Sequence, residues 1–226
     1  MGMPGAEQPK TTSELLPEQG VLVGNVRYVR APLPVHFPVE AEVPESKRHL
    51  LLRTLVYQFL DPAFAHVGAI GCDQFVYWDP TDPGACLAPD AFVRFGEPDD
   101  LFSSWKAWER GAPHVAVEII SETDRGQAIW QDKLQKYRRL GVAELVSFDP
   151  ESGEPPLRVW DQVDGDLVER QLAEQCAESR VLPGFWLTID QPGLGSTLRL
   201  SHDARGERLF LTQAEALVAE LAARPR

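Results

Sequence analysis

His114-Val-Ala-Val-Glu-Ile-Ile120 is an apolar run broken by a single acid, and it is followed by Gln127 to Leu140 and then by the short run Glu144 to Phe148. The first and last segments have the length and branched, apolar content of buried strands. Between them Ile129, Leu134, Tyr137 and Leu140 recur at helical spacing, and Gly141 stands where a helix C-cap is wanted. Strand, helix and strand in direct succession require a crossover, so the two strands are predicted to pair in parallel at the centre of a sheet. The fold class is α/β.

Upstream, Leu51, Leu52, Leu55, Val56, Phe59 and Leu60 mark an amphipathic helix from Glu45 to Leu60, with Asp61-Pro62 as its stop. Three short strands are expected next, at His66 to Ile70, Phe75 to Trp78 and Ala91 to Phe95, joined as a meander. A polar insertion with tryptophans, Glu97 to Gly111, leads into the decisive strand. Downstream, Leu157 to Val163 and Leu167 to Leu172 flank Asp164-Gly165 and read as a C-terminal β-hairpin. Thr212 to Ala223 reads as a terminal helix. Residues 1–20 lack periodicity and are expected to be a mobile arm, and Val21 to Pro44, with Pro32, Pro34, Pro38 and Pro44, an extended lead-in. The expected organisation is an arm (1–20), a single domain (21–200) and a C-terminal extension carrying the last helix (201–226).

The 226 residues are 43% hydrophobic, enough for one sizeable core. Cys72, Cys86 and Cys176 are odd in number and widely spaced, which fits reduced thiols and neither a disulfide framework nor a zinc site. No leader pattern and no long apolar run are present, so a soluble cytoplasmic protein without a membrane span is expected. A net charge of −12 excludes nucleic-acid binding through a wholly basic surface; any such contact must be local.

Glu118 is the anomaly in its strand, because an ionised carboxylate among apolar neighbours is heavily desolvated unless paired or bound to a metal. Asp90 opens the preceding strand after Pro89, and neighbouring strands could bring the two carboxylates to one divalent cation. Hard oxygen ligands with waters completing an octahedron suit Mg²⁺ or Mn²⁺. Phosphodiester hydrolysis also needs a positive group near the attacking water, and Lys133, on the helix after the Glu118 strand, is the candidate. Lys136, Arg138 and Arg139 on the same helix are candidate phosphate contacts. His49, His66 and His114 lack metal-ligand spacing and are expected in ordinary structural roles.

Taken in order, Ala88-Pro89-Asp90, Val117-Glu118-Ile119-Ile120-Ser121, Lys133-x-x-x-Tyr137, Leu140-Gly141-Val142 and Phe148-Asp149-Pro150 resemble the Uma-two family of restriction-endonuclease-like proteins, within the PD-(D/E)xK nuclease superfamily. The resemblance covers roughly Pro38 to Pro150. It implies a restriction-endonuclease-like core of mixed β-sheet flanked by helices, Mg²⁺-dependent endonuclease chemistry on nucleic acid, DNA first, and catalytic positions at Asp90 and Glu118. It also matches Glu45 to an extra acid beside the metal, and nucleases of this type often work as homodimers. One departure stands out: Ile120 occupies the place of the usual lysine two residues after the acid, which moves that role to Lys133 or removes it. Two rivals therefore stay open, a non-catalytic interaction module that keeps the fold, and a metal-free carboxylate pair acting on a glycoside.

Overall fold

A computed structural model of the chain describes residues 45–152 (Thr123 by its backbone), 156–172 and 175–224, together with the backbone of 21–23 and 26–28. The chain divides into two units, Met1–Phe37 and Pro38–Arg226. In the first, β1 (Val21–Val23) and β2 (Val26–Tyr28) pair antiparallel. The expected arm at 1–20 and the proline positions of the lead-in lie outside the described residues.

The second unit runs α1 (Lys47–Phe64), β3 (Gly68–Gly71), β4 (Val76–Tyr77), β5 (Cys86–Leu87), β6 (Ala91–Phe95), β7 (Trp105–Lys106), α2 (Ala107–Arg110), β8 (Val115–Ile119) and α3 (Gln127–Leu140). It continues with β9 (Glu144–Phe148), β10 (Leu157–Val163), β11 (Asp166–Glu169), β12 (Cys176–Glu178), β13 (Phe185–Gln191), β14 (Gly195–Ser201) and α4 (Gln213–Ala223). The main sheet has six strands in the order β11-β10-β9-β8-β6-β3. Its one parallel pair is β8 with β9, the two strands joined through α3, as the crossover argument requires.

The alternation of side chains along β8 divides the core. Val115, Val117 and Ile119 join Leu52, Val56, Phe59, Leu60 and Phe64 of α1, whereas Ala116 joins Trp130, Tyr137 and Leu140 of α3. The two helices thus cover opposite faces of the sheet. Gly141 ends α3 with φ at 83°, the left-handed cap expected of it.

Three expectations are corrected. The three short strands do not form a meander: β3 pairs directly with β6, while β4 leaves to form a separate three-stranded sheet with β5 and β7. That detour buries Trp105 against Phe92 and Phe102, an aromatic cluster with no local periodicity to announce it. Pro62 does not stop α1, which runs on to Phe64. The proline falls in the last turn, and burial of Phe64 against Phe95 and Phe210 holds the helix beyond it. Finally, the C-terminal region holds a three-stranded antiparallel sheet, β12-β13-β14, where only the hairpin of β10 and β11 and the last helix were expected. Arg199 of β14, almost wholly buried, pairs with Glu215 at 2.9 Å and so fixes α4 to this sheet.

Gly68 shows how tightly β3 lies on β6: a Cβ there would come within 2.5 Å of the Arg94 carbonyl oxygen. Backbone cannot yield as a side-chain tip can, so Gly68→Ala is expected to cost about 1–3 kcal/mol. Chemical denaturation measures this, and a change within ~0.5 kcal/mol would contradict the close approach.

Candidate active site

Ala91 of β6 pairs with Val117 of β8, so continuing the antiparallel register sets Asp90 opposite Glu118. Directly opposed residues share a face of the sheet. Both carboxylates are buried, Asp90 at 5% exposure and Glu118 at 2%. Glu118 follows Ala116 onto the α3 face, and there the helix meets it twice. Lys133 and Tyr137 lie four residues apart and present one helix face to the sheet. The Lys133 ammonium donates to Glu118 Oε2 at 2.8 Å, and the Tyr137 hydroxyl donates to Glu118 Oε1.

Lys133 is held from its other side by Asp124, again at 2.8 Å. Asp124 sits in a short 3-10 turn, Glu122–Asp124, where it caps reciprocally with Ser121. Burial pushes the Glu118 carboxyl up to about 7, against the downward pull of the Lys133 charge. Burial also works against the charge on Lys133, but Glu118 and Asp124 together outweigh it and hold the ammonium pKa above its ordinary value. Lys133 is therefore a fixed cation.

At the strand end, Asp90 Oδ2 accepts from the Ile119 amide at 2.7 Å, and α1 reaches the same carboxylate through His49. His49 Nε2 lies 3.0 Å from the Ile119 carbonyl and 3.3 Å from Asp90 Oδ1, and its Nδ1 lies 3.0 Å from Glu45 Oε2. Both ring nitrogens face oxygen acceptors, so both carry hydrogens and the ring is an imidazolium. The bond to Asp90 is the chief reason its pKa rises to about 9. Glu45 is gripped in turn by Arg53, at 2.8 and 2.6 Å, which lowers its pKa to about 2. Glu45 was expected in the first helical turn; it precedes the N-cap, Ser46, and that turn contains no acid.

Apart from Tyr137 and Arg53, these groups line one cleft of about 540 Å³. All four residues singled out by sequence, Glu45, Asp90, Glu118 and Lys133, line it. Lys136, Arg138 and Arg139 do not: Lys136 pairs with Asp132 at 3.0 Å and Arg138 reaches Asp166 and the Gly165 carbonyl. The cations that line the cleft are Arg48, His49, Arg125 and Lys133. Sequence reasoning missed His49, Arg53 and Asp124. For His49 a signal existed, since it stands four residues after Glu45. Asp124 carried one also, the Ser121-x-x-Asp124 capping spacing.

Among the oxygens of the cleft, those of Asp90 and Glu118 and the Ile119 carbonyl could hold a hard divalent cation. One observation makes the set suitable: Asp90 Oδ1 and the Ile119 carbonyl already converge on a single cationic N–H, that of His49. The described residues contain no group of three or more His, Cys, Asp or Glu arranged for a metal.

A mixed sheet with a helix on each face is the frame of a restriction-endonuclease-like α/β domain, and the opposed acids lie where β6 meets β8. The family model Uma2, described as "Putative restriction endonuclease", matches residues 39–190, and the chain belongs to that family. A crystal structure described as a putative nuclease from Anabaena variabilis is similar at 12% identity, covering 62% of this chain and 75% of that one with a TM-score of 0.37. No curated protein matches the chain. No described helix is long and apolar enough to cross a membrane.

Proposed function

We propose that this cleft cleaves phosphodiester bonds in nucleic acid, DNA in the first instance, with Mg²⁺ or Mn²⁺ held by Asp90, Glu118 and the Ile119 carbonyl. The observation that carries this reading is the buried Glu118 carboxylate, set opposite Asp90 and bonded by a lysine from the crossover helix. When bound, the cation would polarise the phosphoryl oxygens and lower the pKa of a coordinated water. Because Lys133 stays protonated, it acts as a cation and not as a base: it orients the attacking water and offsets charge developing on phosphorus. Asp124 and Ser121 fix the direction of that ammonium, and Tyr137 fixes the Glu118 carboxylate. Lys133 thus fills the role vacated at Ile120, whose side chain packs into the α3-side core.

The test is cleavage of plasmid and of single- and double-stranded oligonucleotides with Mg²⁺, Mn²⁺ or EDTA. Metal-dependent cutting is expected, with Lys133→Gln lowering the rate by ~10²–10³-fold. Metal affinity of that variant, followed by calorimetry, should stay near wild type because an ammonium is not a ligand. Failure of the folded wild type to cut any of these substrates would overturn the reading, as would cutting that survives EDTA.

A further inference from the structure

We infer that Arg48 and Arg125 form a seat for one phosphate of the bound strand at the edge of the cleft, and that Glu151 fills this seat in the free protein. The inference rests on the nuclease reading above. Three separate parts of the chain meet here: the first turn of α1, the residue after the 3-10 turn, and the segment after β9. One carboxylate bridges two guanidiniums, since Glu151 Oε1 lies 3.5 Å from Arg48 Nη1 and Oε2 lies 3.2 Å from Arg125 Nη2. Arg48 also donates to the Pro150 carbonyl at 3.3 Å, and Arg125 to Asp149 at 3.1 Å. A carboxylate between two guanidiniums stands where a phosphate would stand, because both anions accept the same forked donors.

Two further observations favour a ligand. Arg48 Nε is buried and has no hydrogen-bond partner among the described residues, a donor that the two oxygens of Glu151 leave unused. A tetrahedral phosphate offers more acceptor oxygens than a carboxylate. The remaining cations of the cleft are also committed: Lys133 to Glu118 and Asp124, His49 to Glu45 and Asp90. Glu151, the one acid shared by Arg48 and Arg125, is about half exposed, so its grip is weak and exchangeable, while Asp149 stays on Arg125 and the Pro150 carbonyl on Arg48. In a cleft otherwise lined by acids such as Asp73 and Glu122, this is where a phosphate gains most. Glu151 then excludes weakly held anions until a strand arrives with its neighbouring contacts.

The experiment is fluorescence anisotropy of a labelled oligonucleotide duplex, with Ca²⁺ in place of Mg²⁺, at several salt concentrations. Glu151→Gln is expected to bind about three- to fivefold more tightly than wild type. Glu122→Gln removes an equal charge from the same cleft without freeing a guanidinium, and should change affinity by less than about twofold. Arg48→Ala and Arg125→Ala should weaken binding, lower the salt slope by about 0.7–0.9, and cancel the gain from Glu151→Gln when combined with it. Melting curves establish that each variant is folded. If wild type binds but Glu151→Gln binds no better than Glu122→Gln, the phosphate seat is wrong and the nuclease reading stands. If neither wild type nor any folded variant binds the duplex or its single strands, both fail together.

Discussion

Glu118→Gln is expected to melt at or above the wild-type temperature in EDTA, yet to lose at least ~10³-fold in cleavage with Mg²⁺. The carboxylate is buried beside Asp90, and burial has pushed it up to about 7. Glutamine keeps the shape and still accepts from Tyr137 or Lys133, while Lys133 keeps Asp124 as its counter-charge. The substitution therefore removes a desolvation penalty without stranding a cation. The sign with pH follows from the direction of the shift. Between the ordinary carboxyl value of 4.5 and about 7, the native state holds a proton that the unfolded chain has released. That contribution makes wild-type stability fall as pH rises through this window, and Glu118→Gln lacks it, so its advantage grows towards neutral pH. In millimolar Mg²⁺ the order should reverse, because wild type gains by binding linkage and the variant gains little. Paired melting curves in EDTA and Mg²⁺ at pH 5 and 8 decide the matter. Marked destabilisation under every condition would show that the Lys133 pair is structural and the metal reading wrong.

Arg170→Met is expected to cost about 3–5 kcal/mol, a large share of the stability of an ordinary domain. Glu144 of β9 and Asp161 of β10 face each other in register, and both are buried. Arg170 donates to both carboxylates, reaching Glu144 at 2.7 Å. Glu144 also accepts from Ser179 at 2.6 Å, from the Arg180 amide at 2.8 Å and from Trp186 Nε1 at 3.0 Å. This one acid therefore ties the main sheet to the β12-β13-β14 sheet. Removing the guanidinium leaves two buried carboxylates side by side with too little positive charge, and the whole desolvation cost of the pair returns. Denaturant unfolding gives the number, and a loss below ~1 kcal/mol would contradict the account. Adding Glu144→Gln to Arg170→Met should recover part of the loss, because it removes one of the stranded charges. Neither residue lines the cleft, so metal binding by the folded variant should stay unchanged.

The contrast between the two acids shows what could be read from the sequence. Glu118 interrupts an apolar run, and a broken pattern is a local signal. Glu144 opens its strand, where an acid after a turn looks ordinary, although it is the more completely buried of the two. Lys133 and Tyr137 were legible as one helix face by their spacing of four. The same periodicity turns Arg138 and Arg139 away from that face, whereas Lys136, three residues after Lys133, stands at its margin and pairs with Asp132 outside the cleft.

By itself the sequence determined the crossover of β8, α3 and β9, the parallel pair at the sheet centre and the identity of the two opposed acids. Periodicity, capping and strand length act within a few residues, and these features follow from them. Only the tertiary structure decided what surrounds the acids. His49 reaches Ile119 across 70 positions, and Arg48 and Arg125 meet at Glu151 from three separate segments. It also decided that β4 would leave the main sheet to pair with β7, whose Trp105 packs on Phe92 of another strand and Phe102 of a loop. Contacts of this kind leave no period in the chain: they exist only after the sheet has set its register and brought distant side chains to the same cleft.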